Sequence, residues 1–245
     1  MSSVILPHTA IPKYYQLANI LQRKIEAGEW PPRSAIPSER QLEQLYNVSR
    51  PTIRQAIESL IQLGLLYREH GRGTFVSPEK LQKGLRELTS FSEDLAQRGV
   101  APGQIIRSIQ QVVPKASILT RLELPPEHLV TRIDRIRLGN DIPIGLQTSY
   151  LALGPGQEIT YADLEASGSL YRTIEEKFNL IPTEADETLE VTLANREEAS
   201  LLQIKEGAPL LLSERLTFNQ NRQPIEFVHI LYRGDRYRYY ARLKR

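Results

Sequence analysis

The chain of 245 residues contains no cysteine and only four histidines. Without cysteine there is no disulfide and no thiol nucleophile, which fits a reducing compartment. His8, His70, His128 and His229 are scattered. No metal-ligand spacing and no nucleophile elbow is present, so no metal, no cofactor and no catalytic residue is expected. No apolar run approaches the roughly 20 residues of a membrane span. Met1 to Pro12 lacks the basic-then-apolar pattern of a signal peptide, so a cytoplasmic location and no membrane partner are expected. Low-complexity runs are absent too, as is a strong charge of either sign: the net charge is +2.

What is present is a globular composition, 40% hydrophobic and 24% charged. The length predicts two domains, at roughly 100–200 residues each. Charge is unevenly shared. Residues 1–77 hold nine Lys/Arg against six Asp/Glu, and the remainder holds 22 against 23. That basic bias in front is too weak to identify a nucleic-acid binder, so motifs must decide.

Pro12 suits the start of a helix, where its missing N–H costs nothing. Tyr14, Leu17, Ala18, Leu21 and Ile25 follow at helical spacing until Gly28. Ser38 and Gln41 read as a capping box opening a short helix that ends near Tyr46-Asn47. Ser49 then caps another, with Pro51 in its first turn, Ile53, Ile57 and Leu60 on its buried face, and Gly64 at its end. Two capped helices with so short a link match a helix-turn-helix. The second carries Arg50, Thr52, Arg54 and Gln55 in its first turns. Arginine chelates guanine, glutamine chelates adenine, and threonine reaches a phosphate or a thymine methyl. Leu65–His70 and Gly73–Val76 read as two strands whose tip, with Gly71 and Arg72, is slim enough for a minor groove. On residues alone, a three-helix domain with solvated arginines stays open.

Three stretches narrow the choice: Pro37-Ser38-Glu39-Arg40, the run from Val48 to Ile57, and Gly71 to Val76. Together they resemble the N-terminal domain of the GntR superfamily of bacterial regulators, a winged helix-turn-helix, over residues 10–77. The resemblance implies that Arg40, Ser49, Arg50, Thr52 and Arg54 face operator DNA and that Gly71 and its neighbours form the wing tip.

Residues 78–87 read as a linker, and 88–245 as a second domain. The helical stretch Leu88–Gly99 admits an anion cradle or ordinary capping by Thr89 or Ser90. Beyond it strands alternate with short helices: strands over 104–113, 129–138, 144–151, 187–193, 210–218, 225–232 and 236–243, and helices over 116–122, 169–178 and 196–203. Ala116-Ser117-Ile118-Leu119 echoes Ala199-Ser200-Leu201-Leu202, and each copy leads into a strand, a turn and a partner strand opened by Pro143 or Pro224. Two such units joined edge to edge give one antiparallel sheet covered by helices, an α+β layer. The tail from Tyr232, rich in bases and aromatics, reads either as a second nucleic-acid surface or as a closing edge strand.

Arg135 and Arg137 alternate on a strand and so share a face. They need either cross-strand carboxylates or an anion, and phosphate is a natural bidentate partner. Leu88–Asp94, Arg135–Arg137, Gly168–Tyr171, Ile225–His229 and Tyr232–Tyr237 resemble the UTRA domain of the HutC branch of the same superfamily, whose fold is like chorismate lyase. The first piece is most similar to members that sense phosphorylated amino sugars such as N-acetylglucosamine 6-phosphate or glucosamine 6-phosphate. The resemblance implies an effector site with Ser90, Phe91, Ser92, Arg135, Arg137, Gln147, Ser169, Tyr171, Glu226 and Tyr232. Gln147 departs from the pattern, standing where such members have glutamate. Its amide can bond a hydroxyl or an acetamide but brings no charge for an ammonium. The expectation is a homodimeric, cytoplasmic repressor that a phosphorylated sugar releases from its operator. A lyase-like enzyme, or a DNA-binding protein with another effector or none, are the alternatives.

Overall fold

The computed structural model describes residues 11–69, 71–78, 80–84 and 88–240, so His70, part of the expected wing tip, lies outside the described residues. The chain divides between Lys80 and Leu81 into two compact units.

The front unit runs α1 (Lys13–Glu26), α2 (Glu39–Tyr46), α3 (Arg50–Gln62), β1 (Leu66–Glu69) and β2 (Gly73–Val76). The capping box of α2 is closed: Ser38 Oγ accepts from Gln41 N–H, and Gln41 Oε1 accepts from Ser38 N–H at 2.8 Å. Asn47 in the left-handed region ends that helix, and α3 begins three residues later. Ser49 is the N-cap of α3, but its hydroxyl meets the Thr52 hydroxyl at 2.9 Å instead of a backbone N–H. Leu17, Leu21, Leu42, Ile53, Ile57, Leu60 and Leu66 form the core, which fixes the angle between α2 and α3. The hairpin gains a strap the sequence did not announce. Ile36 N–H donates to Thr74 O and Val76 N–H to Ser34 O, both at 2.9 Å, so the segment before α2 pairs with the wing.

The rear unit is α+β. Its elements are β3 (Leu81–Gly84), α4 (Phe91–Ala96), β4 (Pro102–Val112), α5 (Ala116–Arg121), β5 (Val130–Gly139), β6 (Ile142–Leu151), α6 (Tyr161–Ser167), α7 (Leu170–Phe178), β7 (Pro182–Leu193), α8 (Arg196–Leu202), β8 (Pro209–Asn219), β9 (Pro224–Arg233) and β10 (Tyr237–Tyr240). Six strands form one antiparallel sheet in the order β4-β5-β6-β9-β8-β7. This is the edge-to-edge union of two three-stranded halves, the join being β6 on β9. Asn140 and Asp141, both at positive φ, make the two-residue turn between β5 and β6.

The short helices α5 and α8 seal one face, with Ile118, Leu122, Ala199 and Leu202 packed on Val130, Phe227, Leu210 and Leu231. On the other face Leu164, Leu170 and Ile174 from α6 and α7 pack on Ile133 and Leu151. Asp134 is held on β5 by Thr148 Oγ1 (2.7 Å), Ser108 Oγ (2.9 Å) and Arg132. Burial opposes its charge, but those donors outweigh burial and hold its carboxyl below the usual range. Asp134→Asn is expected to lose about 2 kcal/mol of stability at neutral pH. The folded-state pKa is depressed, so this difference is fully present above about pH 4–5 and shrinks as pH falls through it. Urea unfolding at several pH values checks both parts.

Two expectations need correction. The linker expected over 78–87 contains β3, and the strand expected to close the sheet at its edge does not join it. Instead β10 pairs in parallel with β3, Tyr237 opposite Leu81 through Tyr240 opposite Gly84. Parallel partners lie far apart in sequence and share no turn, so no local signal announces them. The helix α6 was also not foreseen. It is one short run, capped by Thr160 with Asp163 in a capping box.

Candidate DNA-binding surface and effector pocket

In the front unit, α2 and α3 place Arg40, Ser49, Arg50, Arg54 and Gln55 in solvent, with Thr52 half-buried between them. Arg50 and Arg54 stand one turn apart on α3, and both donate through Nε to the Glu39 carboxylate, at 2.9 and 3.0 Å. Gly71, at φ +73, has nothing within 4 Å of where a Cβ would stand, so backbone geometry, not crowding, calls for glycine at the wing. Arg72 is exposed but tethered: it pairs with Glu69 and lies 5.6 Å over the Phe75 ring.

In the rear unit all ten residues nominated for the effector line a single pocket on the face that carries α4 and α7. Pairing explains the convergence. Directly opposed residues share a face, so Arg137 on β5, Gly145 on β6 and Tyr232 on β9 form one row, and Arg135, Gln147 and Ile230 form the next. A Cβ on Gly145 would come within 3.2 Å of the Tyr232 ring and of the Leu231 carbonyl, so a side chain there would crowd the tyrosine beside Arg137.

Arg135 and Arg137 are 3% and 2% exposed. Among the described residues neither has a carboxylate within salt-bridge distance, which answers the cross-strand pairing left open above. Their shared acceptor is Gln104 Oε1, at 3.2 Å from Arg135 Nη1 and 2.9 Å from Arg137 Nη1. Arg137 Nη2 also reaches Ser92 Oγ at 3.4 Å, and its guanidinium lies 4.0 Å over the Phe91 ring. The Nε of each arginine is buried with no partner. Burial lowers the Arg135 pKa to about 10 against the pull of Glu226 and Tyr171. Burial, reinforced by Arg135, pushes Arg137 down as well. Two cations buried this way carry a desolvation cost that no carboxylate at salt-bridge distance offsets among the described residues.

Ser90 caps α4 and Ser169 caps α7; both are buried, with their helix N-termini toward the pocket lining they share. Thus Ser90 is an ordinary cap and a pocket residue at once. Tyr171 OH meets Thr217 Oγ1 at 3.0 Å, and burial, with Glu226 nearby, raises its pKa. Gln147 donates to Ser149 Oγ at 3.1 Å while its own Oε1 has no partner. Tyr232 stacks on Tyr237, ring centres 4.0 Å apart.

Sequence reasoning missed Lys83, Asp94, Arg215 and Tyr237, which also line the pocket, and Gln104. Lys83 comes from the supposed linker. It is 4% exposed and bonds Glu187 at 3.2 Å, and Glu187 also accepts from Ser213, Arg215 and Tyr239. Asp94 accepts from Tyr237 OH at 2.8 Å. The β3–β10 ribbon is thereby bolted to the pocket face by buried charge. Alternation on β8 was the signal available for Arg215; Lys83 offered none. No group of three His, Cys, Asp or Glu placed to hold a metal occurs among the described residues, and no helix there is long and apolar enough to cross a membrane.

A winged helix-turn-helix in one unit and a buried cationic pocket in the other define an effector-responsive DNA-binding regulator. Residues 13–76 match the family model for bacterial regulatory proteins of the gntR family, and residues 97–238 match the UTRA domain. The chain belongs to the GntR family, in its UTRA-containing branch. It is 39% identical over 228 residues to the HTH-type transcriptional repressor NagR of Bacillus subtilis (strain 168), covering 93% of each chain. It is 27% identical to the histidine utilization repressor of Pseudomonas putida, over 96% of this chain and 93% of that one. The crystal structure of PhnF from Mycobacterium smegmatis matches with a TM-score of 0.61 at 26% identity, over 93% of this chain and 98% of the other. These curated relatives are repressors, and the chain is a regulator, not an enzyme.

Proposed function

We propose that this regulator is a homodimeric, cytoplasmic repressor that leaves its operator when a phosphorylated amino sugar fills the rear pocket. The observation that carries this reading is the pair of buried arginines, neither with a carboxylate at salt-bridge distance among the described residues and each with an unpartnered Nε. A phosphate supplies the missing acceptors in bidentate form. Ser90, Ser92 and Ser169 add hydroxyls, and the α7 N-terminus adds a favourable dipole. Glu226, Tyr171 and Tyr232 face the sugar. Gln147 Oε1, buried without a donor, suits the N–H of an acetamide or a hydroxyl, and its lack of charge offers nothing to a free ammonium, which favours N-acetylglucosamine 6-phosphate over glucosamine 6-phosphate. Repressor action is supported by the relatives' names. In the front unit, Arg40, Ser49, Arg50, Thr52, Arg54 and Gln55 read a half-site in the major groove, and Gly71 and Arg72 take the adjacent minor groove. A dimer places two such helices on a pseudo-palindrome.

Coupling between the sites requires one element whose two states both ligands bias. We assign it to the connection that leads into β3 at the boundary between Lys80 and Leu81, together with the dimer interface. Reciprocity follows: operator DNA weakens effector binding by the factor with which effector weakens DNA binding. Calorimetric titration of both hexosamine phosphates, with and without operator, tests this. Tight binding of the acetylated sugar phosphate, weakened by operator, is the expected result. Binding of neither sugar phosphate overturns the effector assignment, and equal affinity with and without operator overturns the coupling.

A further inference from the structure

The arginines that open α3 are not free cations. Arg50 donates Nε to Glu39 Oε2 at 2.9 Å, and Arg54 donates Nε to Oε1 and Oε2 of the same carboxylate at 3.2 and 3.0 Å. Glu39 is the first residue of α2, yet its carboxylate takes no part in that helix's cap, which Ser38 and Gln41 close between them. Both arginines are 59% exposed and the carboxylate side chain 23%, so the acid sits beneath the two guanidiniums. Burial opposes its charge, but the arginine hydrogen bonds outweigh burial and hold its pKa below the ordinary value. The carboxylate is therefore ionised throughout the neutral range. No Nη hydrogen bond of either arginine is present among the described residues.

We infer that Glu39 is a positioning residue for DNA recognition, one carboxylate that grips the Nε edge of both α3 arginines and thereby sets sequence specificity. The inference rests on α3 facing DNA. Two consequences follow from the geometry. First, with each Nε taken, the Nη pair remains to meet guanine O6 and N7 end-on, and the arginine has already given up much of its rotamer freedom before DNA arrives. Second, the three side chains carry +1 instead of +2. Sequence-independent affinity grows with the number of phosphates neutralised. The carboxylate thus subtracts from attraction to any duplex and leaves bidentate base readout intact, and discrimination rises because the wrong partner is penalised.

The test uses full-length Glu39→Gln and Glu39→Asp. Binding is followed by fluorescence anisotropy across a potassium chloride series. One probe is a mixed-sequence duplex; the other is the duplex that wild-type protein enriches from a randomised pool. Glu39→Gln keeps side-chain length and removes the charge. It is expected to bind the mixed duplex more tightly, with a log–log salt slope steeper by about 0.9, one further phosphate. Its preference for the enriched duplex is expected to fall about tenfold, on the order of one guanine contact. Glu39→Asp keeps the charge but is one methylene short. It is expected to keep the wild-type slope and to lose operator affinity, a split that a merely structural role would not produce. Unchanged slope and preference in Glu39→Gln overturn the inference. So does a loss of operator affinity at constant mixed-duplex affinity, which would make Glu39 a direct reader of bases. If wild-type protein enriched no sequence, the reading of α3 as the recognition helix would fall and the inference with it, whereas enrichment by wild type with unchanged Glu39→Gln behaviour overturns the inference alone.

Discussion

Arg137→Met is expected to abolish measurable effector binding and to yield a protein at least as stable as the wild type. Two guanidiniums stand two residues apart on β5, out of water, sharing one neutral acceptor in Gln104. Deleting one half of a buried charged recognition pair costs about 3 kcal/mol or more, over a hundredfold in affinity. For folding the balance is reversed. Arg137 is an unpaired charge beside a like charge, and its pKa is lowered by both burial and Arg135. Methionine fills similar space with no desolvation cost and keeps a contact with Phe91. Exchanging buried charge for packed apolar volume is neutral or gains about 1–4 kcal/mol. Operator affinity should stay near wild type. Calorimetry with the sugar phosphate, a thermal melt and an operator titration read the three parts separately. Wild-type effector affinity in this variant would remove Arg137 from the anion site.

Arg54→Ala produces the complementary outcome: operator affinity falls by about 1–3 kcal/mol, roughly ten- to a hundredfold, and effector affinity is retained. Arg54 is exposed on α3 and contributes nothing to the front core, so a folding defect is not expected. The loss should be concentrated on cognate DNA. Affinity for random duplex should fall less, because Glu39 already offsets part of the charge removed. If random and cognate duplexes lost affinity equally, Arg54 would be a phosphate contact. Arg137→Met and Arg54→Ala together separate the sites: each should impair one activity and spare the other.

The two domains and most of the pocket were legible because their signals are local. Ser38 with Gln41, and Pro51 after Ser49, mark the helix-turn-helix, although the Ser49 hydroxyl turns to Thr52 instead of capping. The echo between residues 116–119 and 199–202, with Pro143 and Pro224 opening the partner strands, foretold a sheet made of two halves. Period-two alternation placed Arg135 and Arg137 on one face. Resemblance, not pattern, gathered Ser90, Ser169 and Glu226 around them. What stayed hidden depends on distant pairing. The union of β3 with β10 joins residues more than 150 positions apart in sequence. Lys83 therefore looked like linker, and the Glu187 cluster that holds it was invisible. Gln104 looked like any polar residue on an edge strand until register set it against Arg137.

The seam between the halves has a consequence for how the regulator can sense at all. Arg135, Arg137 and Gln147 belong to the first half; Arg215, Glu226 and Tyr232 belong to the second. Between them the backbone is zipped only from Gly145 to Leu151 against Tyr232 to Glu226. The pocket lining is thus divided between the halves. On the proposed reading, a ligand in the pocket is held by both halves at once and so bridges the joint between them.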